Sequence, residues 1–175
     1  KGFIIDGVKN SPNRNRYVAA HPMAGTEFSG PTAAISGLFA GKICIFCDVE
    51  NSDSDAVATV EKMYQAIGMD IKQMESHQHD MHAAYISHIS HISSFVLAAT
   101  VLEKEKDEEA IFEMAGGGFE STVRLAKSSP QTWSPIFEQN KSYLLEAIDN
   151  YNEKMYHVRN LINKKKFAEL EQFMS

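Results

Sequence analysis

The segment HPMAGTEFSG occupies residues 21–30 of the chain. It follows a short apolar run, YVAA at residues 17–20, which predicts a buried β-strand. Ligands of open α/β folds bind beyond the carboxyl ends of such strands, so this segment is a candidate binding loop. Pro22 restricts the backbone directly after the imidazole of His21, and Gly25 permits a turn that other residues resist. The pattern therefore predicts an α/β unit in which a stiff loop presents His21.

His21 is the candidate catalytic group of this loop. An imidazole titrates near neutral pH and can act as a general base. Thr26 and Glu27 follow closely and are placed to support it or to contact a ligand. The alternative is a loop histidine that only forms hydrogen bonds with its neighbours. The spacing of the residues alone leaves both interpretations open.

Composition narrows the class of protein. The 175 residues carry a formal net charge of −6 and a pI of about 5.6, which argues against a nucleic-acid partner because phosphate binding needs clustered positive charge. No run approaches about 18 consecutive apolar residues, so we expect no membrane partner.

Cys44 and Cys47 lie in a strand-like run without a second pair of ligands. We therefore expect reduced structural thiols in a cytoplasmic protein, rather than a zinc or redox site.

The pattern of predicted elements changes near Ser76. Before it, apolar runs at residues 42–47 and 70–74 predict two further strands with a helix between them. After it, no segment is strand-like. The sequence therefore predicts an α/β part over residues 1–76, followed by an all-α part over residues 77–175.

Two long helices are predicted in the second part. Residues 77–104 carry apolar side chains on more than one face, which is typical of the central helix of a bundle. Residues 135–173 form the last predicted helix, with a break near Asn163, and several of their apolar residues repeat every seven positions. A helix of this length extends beyond the body of a small domain, so we expect a homodimer built by the helical part.

Polar residues on the first of these helices are candidates for a ligand site. Ser87 and His91 are four residues apart and share a helix face, which suits hydrogen bonding to a polar ligand. A histidine satisfied within a helical core is the alternative. The region is rich in histidine, but Asp80 is the only carboxylate near it, so we expect no metal.

Arg124 is a second candidate. Its guanidinium can bind a carboxylate with two parallel hydrogen bonds, whereas the alternative is an exposed ion pair that contributes little. The run Gly116–Gly118 precedes it and is expected to break a helix and to let the chain approach a neighbour or a ligand.

These motifs, in this order, resemble those of the prephenate dehydrogenases. The resemblance covers essentially the whole chain and is carried by HPMAGTE at 21–27, His79-Asp80, SHISH at 87–91, GGGF at 116–119, Arg124 and Trp133. It implies the C-terminal remnant of a Rossmann-like nucleotide-binding domain, followed by a helical dimerisation domain. It also implies oxidative decarboxylation of prephenate to 4-hydroxyphenylpyruvate with NAD or NADP as cofactor.

The resemblance further implies roles for single residues. His21 is implied as the catalytic base that accepts the proton of the ring hydroxyl. Lys1, His21 and Pro22 are implied at the cofactor. The implied substrate-binding residues are Ser87, His91, Arg124, Trp133, Gly117, Thr26 and Glu27.

Two alternatives to this function stay open. One is an enzyme of the same fold that uses arogenate, in which an amino group replaces the side-chain keto group. The other is a helical dimerisation or regulatory module without chemistry. No G-x-G-x-x-G fingerprint occurs in the chain, and Lys1-Gly2 is similar to the tail of a motif that precedes the HPMAGTE loop in the family. We therefore expect a fragment that is inactive by itself.

Overall fold

A computed structural model describes residues 1–26, 28, 30–105, 114 and 116–175. Glu27, one of the predicted substrate-binding residues, lies outside the described residues. The described part begins with helix α1 (Gly2–Val8), continues through a small sheet and ends in a group of helices. This order confirms the predicted fold class, an α/β part followed by an all-α part.

Three strands form the sheet, in the spatial order β1 (Ala19–Pro22), β2 (Ile43–Cys47) and β3 (Asp70–Met74). β2 and β3 are parallel, and helix α2 (Ser54–Ala66) makes the crossover connection that parallel strands require. The predicted strands at 42–47 and 70–74 and the helix between them are confirmed.

The first strand differs from its prediction. His21 and Pro22 are the last residues of β1, paired with Ile45 and Cys44 of β2, and do not belong to the loop that follows. β1 is also antiparallel to β2, so its carboxyl end does not share an edge with the carboxyl ends of β2 and β3. The ladder pairing with β2 holds His21 on the sheet itself.

Side chains of β2 form the centre of the core beneath the sheet. Cys44 and Phe46 are fully buried and belong to one cluster with Met69. Both cysteines are free, and burial raises the pKa of Cys47 to about 11. The two thiols are therefore protonated packing groups at neutral pH, in line with the structural role predicted for them.

The backbone is helical from Ser76 to Glu105, through α3 (Ser76–Ala83), a π-helical turn (Ala84–His88) and α4 (Ile89–Glu105). The predicted long helix is confirmed in extent, but the sequence did not predict the π-helical turn. Such turns recur at functional sites in helices. This one carries both Ser87 and His88.

Asp48 attaches the start of this helical run to the sheet. Its backbone has the left-handed conformation, with φ 50° and ψ 46°, directly after β2. Its Oδ1 accepts a hydrogen bond of 2.7 Å from the amide of Ser76, one of the donors that a helix start leaves without an internal partner. The contact holds α3 beside the strands, where His79 and Asp80 can reach His21.

The remaining helices are α5 (Gly117–Val123), a 3-10 turn (Arg124–Lys127), α6 (Pro130–Gln139), α7 (Lys141–Asn163) and α8 (Phe167–Met174). The glycine run is only partly as predicted: Gly116 is extended, with ψ 177°, whereas Gly117 and Gly118 lie inside α5. The last long helix begins at Lys141 rather than at Pro135, because Asn140 leaves the helical conformation, with φ −116° and ψ 27°. The predicted break near Asn163 is confirmed.

By length and composition alone, the helical run Ser76–Glu105 could cross a membrane. An 18-residue window within it has a mean hydropathy of 1.4, and 11% of that window is buried. The expectation of no membrane partner considered only unbroken apolar runs, and serines and histidines interrupt this one, so that expectation stays a prediction. The central helix of a bundle meets the same criterion. In the single chain, most of this apolar surface is uncovered.

Candidate active site

A cavity of about 480 Å³ lies between the end of β1 and the helical part. This volume suits a small organic ligand. Most of the predicted site residues line it: Lys1, His21, Pro22, Thr26, Ser87, His91, Arg124 and Trp133. It is also lined by five polar residues that were not among the predicted site residues: His79, Asp80, His88, Gln139 and Asn140.

His21 is connected to α3 by a chain of two hydrogen bonds. Its Nδ1 lies 2.6 Å from Nε2 of His79, and Nδ1 of His79 lies 2.8 Å from Oδ1 of Asp80. The imidazole of His79 is buried, with 4% of its surface exposed. Asp80 also accepts a hydrogen bond of 2.9 Å from the amide of Gly2 and contacts the amino nitrogen of Lys1. The carboxylate thus joins α1 to α3.

Burial keeps His21, His88 and His91 neutral. It lowers the pKa of His21 to about 4, and the nearby positive charge of Lys1 and the imidazoles of His79 and His88 act in the same direction. Burial also lowers the pKa of His88 to about 4, although the charge of Asp80 opposes this change. Burial lowers the pKa of His91 as well. At neutral pH these rings can each donate one hydrogen bond and accept another.

Asn140, at the junction of α6 and α7, orients His88. Its side-chain amide donates to the carbonyl of Asp80 at 2.8 Å and lies 3.2 Å from Nδ1 of His88. Because an amide NH₂ is only a donor, Nδ1 of His88 is the acceptor and the ring proton is on Nε2. His88 is therefore a neutral donor at the cavity.

His91 has the opposite arrangement. Its Nδ1 lies 3.0 Å from the carbonyl oxygen of Ser87, so the ring proton is on Nδ1 and Nε2 is an acceptor. The indole of Trp133 stacks on the imidazole, with ring centroids 3.4 Å apart and an angle of 26° between the planes. The predicted neighbours Ser87, His91 and Trp133 are thus brought together at one wall.

Arg124 brings a positive charge to the same wall. It begins the 3-10 turn after α5, lines the cavity beside Leu125, and its charge contributes to the low pKa of His91. Arg124 is also exposed to solvent.

The other predicted site residues are placed differently. Thr26 lines the cavity, and its hydroxyl oxygen lies 3.3 Å from the amide of Phe28. Lys1 and Pro22 line the side of the cavity formed by α1 and β1. Gly117 lies in the first turn of α5 and does not line the cavity. Its assigned role remains a prediction.

Local sequence patterns do not indicate that His79 and Asn140 line the cavity. His79 is 58 positions from His21 in the chain, and Asn140 is 52 from His88. Only the pair His79-Asp80, as part of the family resemblance, pointed to one of these contacts. Nothing in the sequence pattern around Asn140 signals its position. Among the described residues, no group of three or more His, Cys, Asp or Glu side chains has an arrangement that could hold a metal ion.

A partial nucleotide-binding fold, a helical part and a cavity with several polar side chains between them are typical of two-domain, nucleotide-dependent enzymes. Residues 1–73 match the family described as prephenate dehydrogenase, nucleotide-binding domain, and residues 75–175 match prephenate dehydrogenase, dimerization domain. The chain therefore belongs to the prephenate dehydrogenase family.

Individual relatives agree with this assignment. The chain is 28% identical over 157 residues to prephenate dehydrogenase of Bacillus subtilis, covering 87% of this chain and 41% of the relative. It is 30% identical over 163 residues to cyclohexadienyl dehydrogenase of Zymomonas mobilis, covering 93% and 56%. The chain spans about half the length of these curated relatives.

A solved structure is similar over most of the chain. Prephenate dehydrogenase from Aquifex aeolicus, in complex with hydroxyphenyl propionate and NAD+, superimposes with a TM-score of 0.83 at 31% identity. The match covers 91% of this chain and 56% of that structure.

Proposed function

We propose that the protein containing this chain oxidises and decarboxylates prephenate to 4-hydroxyphenylpyruvate, with NAD+ or NADP+ as cofactor. Family membership supports the reaction class, and the complex of the Aquifex relative supports a hydroxyphenyl ligand and NAD+. The observation that carries the proposal is a neutral His21 that lines the same cavity as Arg124.

The reaction requires a base that accepts the proton of the ring hydroxyl. The hydroxyl proton leaves as hydride is lost from the same ring carbon, which becomes a carbonyl carbon. The ring carboxylate then leaves as carbon dioxide, and its bonding electrons complete the aromatic ring. A base must be unprotonated to accept the hydroxyl proton, and the low pKa of His21 keeps it so at neutral pH.

The part of the cavity formed by the helices is suited to the acidic groups of prephenate. The guanidinium of Arg124 binds a carboxylate, and the Nε2–H of His88 offers a second, neutral donor. Beside His91, the indole of Trp133 provides an apolar face that the ring of the substrate can contact. We assign Ser87, His91, Arg124, Trp133, Thr26, Glu27 and Gly117 to the substrate, as the resemblance implies.

We assign the cofactor to the part of the cavity lined by residues of α1, of β1 and of the segment after β1. Lys1, His21 and Pro22 line it, and the space around the Cα of Gly25 is open, with no atom within 4 Å of where a Cβ would lie. These residues would hold the nicotinamide end. When bound, the cofactor supplies the hydride acceptor. In this proposal residues 1–76 are the nucleotide-binding side, and residues 77–175 are the substrate-binding and dimerisation side.

Arogenate is the rival substrate. The cyclohexadienyl dehydrogenase of Zymomonas mobilis is among the similar proteins. Prephenate and arogenate therefore both have to be tested as substrates. The test is the rate of NADH or NADPH formation by the full-length protein with prephenate and with arogenate. A higher kcat/KM for prephenate supports the proposal, and exclusive turnover of arogenate overturns its substrate. No turnover of either would favour a module without chemistry.

A homodimer formed through the helical part completes the proposal. Many large apolar side chains on α4 and α7 are exposed in the single chain: Val96, Leu97, Leu102, Leu145, Tyr151, Met155, Tyr156 and Ile162. An apolar surface of this extent is rarely left in water by a folded protein. The family name of residues 75–175, dimerization domain, supports a second copy as the cover. A cytoplasmic location stays a prediction.

A further inference from the structure

His79 and Asp80 have no part in the function proposed above, yet they form the best-connected polar group of the cavity. The three side chains from His21 to Asp80 are joined by contacts of 2.6 Å and 2.8 Å. The rings of His21 and His79 are 4.9 Å apart and inclined by 56°. They are therefore joined edge to edge through their nitrogens and are not stacked. Proton positions along such a chain are not independent.

The carboxylate determines the proton positions. An ionised Asp80 is only an acceptor, so Nδ1 of His79 carries a proton. When Nε2 of His79 carries none, it is the acceptor of the 2.6 Å contact, and the proton of neutral His21 then lies on Nδ1. Nε2 of His21 is then left as a lone pair, and the hydrogen bonds among the described residues include none to this atom.

We propose that Asp80 and His79 are positioning residues that hold His21 in the Nδ1–H tautomer and direct its basic Nε2 to the substrate hydroxyl. This inference rests on the proposed function for the identity of the substrate, but the tautomer itself does not depend on it. The step moves one proton, from the hydroxyl oxygen to Nε2 of His21, and leaves His21 as an imidazolium. The negative charge of Asp80, on the far side of His79, stabilises that cation.

The charge state of Asp80 agrees with this role. Burial alone would raise its pKa, but the hydrogen bonds that it accepts, among them those from His79 and the amide of Gly2, outweigh burial and lower the pKa well below its usual range. Asp80 is therefore ionised at neutral pH. The other charged or titratable groups near His21 are the side chain of Lys1 and His88, and both favour its neutral form.

The first experiment reads the tautomer directly. Long-range proton–nitrogen NMR of the full-length protein distinguishes an imidazole protonated at Nδ1 from one protonated at Nε2. We expect Nδ1–H for both His21 and His79, with the His21→Asn and His79→Gln variants used for assignment. A wild-type His21 protonated at Nε2 overturns the proposal. If prephenate is not turned over but the tautomer is as expected, the proposed function fails and the proton arrangement stands.

The second experiment separates positioning from folding. In His79→Gln, the side-chain oxygen can still accept from Nδ1 of His21, but the link to the charge of Asp80 is lost. We expect kcat to fall about tenfold in His79→Gln, and about a hundredfold or more in His79→Leu, which lacks the acceptor, with KM changed much less. His21 should keep its tautomer in the glutamine variant and lose it in the leucine variant.

The matched control is His77→Gln. His77 lies on the same helix, two residues from His79, is exposed, and contacts only the exposed Glu75 among the described residues. We expect kcat, KM and the His21 tautomer to be unchanged. If kcat falls equally in His79→Gln and His79→Leu and the tautomer of His21 is unchanged in both, His79 acts only in packing. If His79→Leu does not fold, the wild-type tautomer and the glutamine variant still decide the question.

Discussion

The imidazole of His91 lies flat against the indole of Trp133, with their centroids 3.4 Å apart. The contact joins α4 to α6, and the Nδ1 contact with the carbonyl of Ser87 fixes the rotation of the imidazole. Nε2 of His91 therefore faces a defined direction before any ligand arrives. A site arranged in this way loses little conformational entropy when it binds.

Trp133 tests this arrangement. Trp133→Leu removes the stacked face, and aromatic pairs contribute about 0.5–1.5 kcal/mol beyond burial, so we expect KM for prephenate to rise about threefold to tenfold. Trp133→Phe keeps an aromatic face and should recover most of the loss. Steady-state kinetics of the full-length enzyme measure both variants. An effect confined to kcat would contradict a role in positioning the substrate.

His21→Asn tests the base. Asparagine is similar in size and keeps some hydrogen bonding, but it cannot accept a proton, so we expect kcat to fall by about a hundredfold or more with little change in KM. Single-turnover measurements with saturating cofactor would show whether the chemical step itself is slowed. An unchanged kcat would favour a module without chemistry over the proposed enzyme.

The pH profile should reflect the burial of the same ring. Below its pKa His21 carries a proton and cannot act as a base, so activity is lost as the pH falls through that value. Burial lowers the pKa of His21 to about 4, so we expect the acid limb of kcat/KM well below the ordinary histidine value of about 6.5. The limb should be absent in the residual activity of His21→Asn. A limb that persists there would point instead to His88, whose pKa is also about 4.

Local patterns predicted the elements of this fold better than the contacts of its site. Strand β2 and helix α2 follow from apolar periodicity, which is a property of neighbouring residues. The start of α7 was missed because Pro135 resembles a first-turn proline, whereas it lies within α6. The contact between His21 and His79 joins residues 58 positions apart and depends on how α3 packs on the sheet. No local period encodes such packing.

Arg124 should act mainly on substrate affinity. A hydrogen-bonded carboxylate partner contributes about 1.5–3 kcal/mol, so Arg124→Ala is expected to raise KM for prephenate by about tenfold to a hundredfold. The exposure of Arg124 favours the lower end of this range. Lys127→Ala is the control, because Lys127 ends the same 3-10 turn, pairs with exposed Glu120 at 3.4 Å and does not line the cavity. Equal increases in KM would indicate a general effect of positive charge rather than a carboxylate site.

The last prediction concerns the second copy of the chain. Met155 of α7 and Met63 of α2 are each 53% exposed in the single chain, so they differ in location but not in exposure. If the helical part forms the dimer, Met155→Asp places a charge in a buried apolar interface, where charge is strongly unfavourable. We expect this variant of the full-length protein to sediment as a monomer at micromolar concentration, while Met63→Asp and the wild type sediment as dimers. Circular dichroism would establish that both variants are folded. A wild-type monomer, or dissociation caused only by Met63→Asp, would place the interface elsewhere or exclude it.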